Sequence, residues 1–103
     1  MTFTGKARAA LRAEAHHLNP LVHIGQQGIT TAVRQSANDA LRTKELVKLQ
    51  VGKNAEVGAK EAAGQLSAVL RAEVIQVIGR TFTLYRHNPS IKRKEGDLPP
   101  WKR

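Results

Sequence analysis

Apolar residues recur along this chain with two different periods, and the changes of period mark its elements. From Thr4 to about His17, Ala7, Leu11, Ala15 and Leu18 return every three or four residues, the spacing of one helix face. Thr4 is placed to cap that helix, and Pro20 ends it, because the residue before a proline avoids helical geometry. Leu21 to Ile24 is short and β-branched and predicts a strand. Thr30 or Thr31 then caps a second helix, to about Thr43 or Lys44, with Val33, Ala37, Ala40 and Leu41 as its stripe. In "ELVKLQV" the period drops to two. Val47, Leu49 and Val51 face one way, and Leu46, Lys48 and Gln50 the other, which predicts a strand with one buried face. Asn54 is placed to cap a third helix, with Glu56 in its first turn and Ala59, Ala62, Ala63, Leu66, Val69 and Leu70 as its stripe. "VIQVIGRTFTLYR" alternates again on both sides of Gly79-Arg80, a pair suited to a type II′ hairpin turn.

The order α-β-α-β-α-β-β predicts an α/β fold with a mixed four-stranded sheet, two-layered in the α+β manner, its last strand antiparallel to its neighbour. Helices two and three are expected over the face carrying Val47, Leu49 and Val51. The expected domain spans residues 1–87. Beyond it, residues 88–103 carry a Lys92-Arg93-Lys94 cluster, three of the four prolines and Trp101 without periodicity, and predict a flexible basic tail.

Charge narrows the function. Seventeen Lys and Arg stand against eight Asp and Glu, a formal +9, and such an excess points to a polyanionic partner. The absence of cysteine excludes disulfides, thiolate metal sites and cysteine nucleophiles, and fits a reducing cytoplasm. No apolar run approaches the roughly 20 residues of a membrane span. His16, His17, His23 and His87 have no zinc-type spacing, so no metal or other cofactor is expected. No GxxxxGK[ST] loop and no serine in a nucleophile elbow is present, which argues against an enzyme.

The segment "LVHIGQQGITTAV" carries the most chemistry. Its two glycines, Gly25 and Gly28, stand where a strand passes into a helix start. Glycine lets a phosphodiester approach the backbone, and the helix start offers free N–H groups and a positive dipole end. Gln26 and Gln27 add amides, and His23 lies just before the loop. A turn that needs positive φ at one or both glycines would produce the same pattern.

"HHLNPLVHIGQQGITTAV", "KELVKLQV" and "QVIGRTFTLYR" together, in this order and spacing, resemble the CRM-domain family (chloroplast RNA splicing and ribosome maturation), in particular its YhbY-like single-domain members. The resemblance covers about residues 4 to 87. It implies a compact RNA-binding fold similar to the C-terminal domain of translation initiation factor three, with a GxxG loop like that of KH domains. Gly25, Gly28 and Thr30 match the family's loop and helix start, Lys48 its basic second strand, and Gly79, Arg80 and Leu84-Tyr85-Arg86 its closing hairpin. It further implies a partner in rRNA of large-subunit precursors, and hence a role in ribosome assembly. The alternatives are an intron-RNA splicing cofactor and a ribosome-associated protein–protein adaptor.

The expected RNA-binding set is therefore Gly25, Gln26, Gln27, Gly28 and Thr30, with Lys6, Arg8 and Arg12 from helix one, Arg34 and Lys44 from helix two, and Lys48. Asn19 stands where relatives often have lysine, and Gln26 and Gln27 are uncharged, so the surrounding cations have to supply the affinity. An aromatic sheet face of the RRM kind is ranked below the loop, because only Tyr85 is expected on the polar face. A monomer is expected.

Overall fold

The computed structural model describes residues 4–90. The tail residues Lys92, Arg93, Lys94 and Trp101, singled out above, lie outside them. Three helices and four strands follow in the expected order: α1 (Gly5–Ala15), β1 (Val22–Ile24), α2 (Thr31–Lys44), β2 (Leu46–Val51), α3 (Ala59–Leu70), β3 (Glu73–Ile78) and β4 (Thr81–Tyr85). The sheet order is β1-β2-β4-β3, with β1 parallel to β2 and both β4 pairings antiparallel.

The main core lies between the sheet and helices α2 and α3. Val22, Ile24, Val47, Leu49, Val51, Phe82 and Leu84 from the strands meet Ala37, Leu41, Ala62, Ala63 and Leu66 from the helices. The alanine-rich stripe of α3 has a purpose here: small side chains let the helix backbone settle close to the sheet. Val69 departs from the expected stripe and is exposed, because the buried face of α3 runs through Ala59, Ala62, Ala63 and Leu66.

Helix α1 packs on the opposite face and adds a partial layer to the sheet and its two main helices. Leu11 and Ala15 from α1 form a second, smaller core with Leu46, Ile75 and Tyr85, and Leu18 closes it. Tyr85 is thus 1% exposed rather than available for stacking. Strand alternation places it on this face correctly; what it misses is that α1 covers that end. A register shift in β3 between Val74 and Gln76 turns Ile75 into the same cluster.

Helix α3 begins later than expected. Its cap is Gly58, not Asn54, and its first-turn acid is Glu61, not Glu56. The chain leaving β2 is first held at Gly52, whose N–H donates to Ile24 O at 2.9 Å, and then turns, with Ala55 N donating to Gly52 O at 3.2 Å. Ala55 and Val57 pack on the main core before the helix starts. At the hairpin, Gly79 adopts φ +57 while Arg80 stays at negative φ, the pattern of a type II′ turn.

Asn88, the first residue assigned to the tail, is tied to the domain. Glu45, 4% exposed, accepts from Asn88 N at 2.7 Å and contacts His87 Nδ1 at 3.0 Å. Asn88 Nδ2 donates to Arg42 O at 2.7 Å.

Candidate nucleic-acid interface

Of the two candidate caps, Thr30 is the one that caps α2, accepting from Val33 N at 3.1 Å, and Thr31 is the first helical residue. The GQQG loop fills the gap between that cap and the end of β1. Gly28 N donates to Gly25 O at 3.0 Å, closing a tight turn over Gln26 and Gln27, and Thr30 N donates to Gly28 O at 3.1 Å.

The two glycines answer different needs. Gly28 sits at φ +74, where a side chain is strained. The turn itself therefore explains this glycine. Gly25 has no such φ, and a Cβ added there would find nothing within 4 Å. The fold tolerates a side chain at 25, so its absence leaves bare backbone facing open space beside the loop. Gln26 and Gln27 are both exposed.

The expected cations do not form one cluster, because α1 and α2 lie on opposite faces of the sheet. Arg34 is exposed in the first turn of α2, next to the loop, with its guanidinium 3.2 Å from Thr31 Oγ1. Lys44 is exposed at the other end of α2 and lines a hollow with Asn19, Leu21 and Lys48. On α1, Lys6 and Arg12 are exposed. Arg8 is engaged by the fold: it donates to Val74 O at 2.7 Å and pairs with Glu73 at 3.1 Å. Lys48 is half-buried, with Nζ 3.4 Å from both Ala15 O, which also accepts from Leu18 N at 3.0 Å, and Leu18 O, so it ties β2 to the turn that follows α1. Replacing Lys48 by alanine is expected to lower stability by about 1–2 kcal/mol, measured by urea unfolding. An unchanged midpoint would return Lys48 to the purely surface-exposed role.

Cross-strand register orders the α1 face. His23, Gln50, Thr81 and Ile78 form one row across the sheet, and Lys48, Thr83 and Gln76 the next, where Thr83 is buried and its two neighbours are half-buried. Past the end of α1, His16, Lys48, Gln76 and Thr81 line a depression over these rows.

Two grooves flank the loop. One is lined by His23, Ile24, Gly25, Gln50, Val51, Gly52, Lys53 and Arg80. The other is lined by Gln26, Gln27, Gly28, Ile29, Glu56, Val57, Glu61 and Gln65. Lys53 and Gln50 are additions to the sequence-based set. Strand alternation already put Gln50 on the polar face; the missing information was that β1 and β2 are direct neighbours in the sheet, which sets the exit of β2 beside the loop.

Among the described residues, no group of three or more metal-ligating side chains comes together, and no helix is long and apolar enough to cross a membrane.

Comparison with known proteins matches this architecture. The chain is 34% identical over 96 residues to "Probable RNA-binding protein YqeI" of Bacillus subtilis, covering 93% of this chain and 98% of that protein. It is 35% identical over 96 residues to a Haemophilus influenzae protein named "RNA-binding protein", covering 88% and 92%. The solution structure of SAV1595 from Staphylococcus aureus superposes with a TM-score of 0.74 at 38% identity, covering 95% of this chain and all of that one. The family profile described as the CRS1 / YhbY (CRM) domain matches residues 3–86, and this chain belongs to that family.

Proposed function

We propose that this chain is a non-enzymatic RNA-binding protein that engages rRNA in a precursor of the large ribosomal subunit and assists its assembly, acting as a monomer in the cytoplasm. Relatives along nearly its whole length are named RNA-binding proteins, and its formal charge of +9 suits a phosphate polymer. The ribosomal assignment rests on the family resemblance. The observation that carries the binding mode is Gly25: a glycine that neither φ nor packing requires, at the mouth of a loop leading to a helix start. A phosphate group there can lie against backbone, with N–H groups at hand and no Cβ in the way.

Gly25→Asp is the informative substitution. It sets a carboxylate where the phosphate is proposed to lie, in space that is otherwise open. RNA affinity at moderate salt is expected to fall about tenfold or more, with little change in melting temperature. Unchanged affinity would remove the loop from the binding site. Gly28→Asp is a poorer probe, since the strain at φ +74 would mix folding with binding. For the ribosomal assignment, the protein is expected to cosediment with large-subunit precursors in an RNase-sensitive way. Cosedimentation that survives RNase would instead favour a protein-binding adaptor.

A further inference from the structure

The loop divides two grooves of opposite electrostatic character. On one side, Lys53 and Arg80 stand exposed around Gly25, with His23 and Gln50 exposed on the floor and no carboxylate in the lining. On the other, Glu56 and Glu61 are exposed beside Gln26 and Gln27, with no cation in the lining. Neither Lys53 nor Arg80 forms an ion pair with another described residue. Gly25, the glycine left free by the fold, lines the basic groove, and Gly28, the one needed by the turn, lines the acidic one.

We propose that single-stranded RNA leaves the GxxG loop on one side only, across the groove between Lys53 and Arg80, with His23 and Gln50 contacting its bases. The proposal rests on the RNA-binding reading above and deepens it by giving the strand a path. Lys53 follows β2 and Arg80 sits in the β3–β4 turn, and Val51 N donates to Arg80 O at 2.8 Å, so the backbone fixes the two positions relative to one another. Cations so placed attract phosphates whatever the base sequence. His23 and Gln50 are direct register partners on β1 and β2. An imidazole can stack on an unpaired base, and an amide can both donate to and accept from a base edge. Glu56 and Glu61 repel a phosphate chain from the opposite side.

The test uses the full chain and a fluorescently labelled, random-sequence single-stranded RNA of roughly 12 nucleotides, titrated by anisotropy over a range of KCl concentrations. Lys53→Gln with Arg80→Gln is expected to lower the slope of log affinity against log salt by about 1.4, two single-strand phosphate contacts. His23→Ala with Gln50→Ala is expected to leave that slope in place while narrowing the spread of affinities among homopolymer RNAs. Glu56→Gln with Glu61→Gln is expected to hold or raise affinity. All six residues are exposed, so melting temperatures should stay near that of the parent. If Gly25→Asp weakens binding but the Lys53/Arg80 pair leaves the salt slope unchanged, the loop reading stands and the one-sided path is wrong. If Gly25→Asp is silent, or the parent chain does not bind the RNA pool, both fall.

Discussion

Replacing Tyr85 by alanine is expected to cost about 3–5 kcal/mol of folding stability, the range for deleting a large buried aromatic. Tyr85 is 1% exposed and is the largest member of the small cluster that holds α1 to the sheet, with Leu11, Ala15, Leu46 and Ile75. Few neighbours are available to collapse into the space left behind, because this core is separate from the one under α2 and α3. Domains of this size have total stabilities of roughly 5–15 kcal/mol, so the variant should unfold at much lower urea, with α1 exchanging its amide hydrogens first. Tyr85→Leu keeps much of the apolar volume and should lose about half as much. A loss under about 1 kcal/mol for the alanine variant would mean that α1 is not held by this cluster. The result also bears on function: a residue on the sheet's polar side reads as a base-stacking platform until α1 is placed over it.

The second large effect is expected at Arg86, where methionine should cost about 2–3 kcal/mol while leaving RNA affinity and its salt slope unchanged. Arg86 Nη1 donates to Asn38 Oδ1 at 2.8 Å and Leu70 O at 3.0 Å, and Nη2 to Asn38 O at 3.2 Å. One guanidinium from just past β4 thereby joins the middle of α2 to the end of α3. Methionine keeps an apolar stem but leaves Leu70 O and the Asn38 groups without these bonds. Arg86→Lys should recover only part of the loss, since an ammonium lacks the planar fork that reaches several acceptors in fixed directions. Thermal unfolding, and hydrogen exchange in the last turn of α3, measure the effect. A fall in the salt slope would instead make Arg86 a phosphate contact.

Together these two residues show why the candidate site was only half legible. The loop was readable because its chemistry is local: glycines, a cap and a strand end lie within a few residues. Thr30, one of the two candidates, caps α2. The cations were not readable in the same way. Lys and Arg look alike in sequence whether they meet solvent, a carbonyl or a phosphate. Arg8 and Lys48, expected at the interface, are held by Glu73, Val74 O and the end of α1. Lys53, outside the expected set, lies in the basic groove. Separating engaged from open cations requires knowing which carbonyls end up nearby, and those come from distant parts of the chain.

The sequence by itself determined the element order, the mixed sheet, the main core and the position of the loop. Periodicity, the Thr4 and Thr30 caps, Pro20 and the Gly79-Arg80 turn act over a few residues, and the fold keeps each of them. Tertiary structure decided three things: that α1 crosses to the opposite face and buries Tyr85, that α3 waits until Gly58 to begin, and that Gly25 and Gly28 stand beside grooves of unlike charge. Each depends on which segments become neighbours across the sheet. That pairing is settled by burying apolar surface over the whole domain at once, and no local stretch of residues carries it.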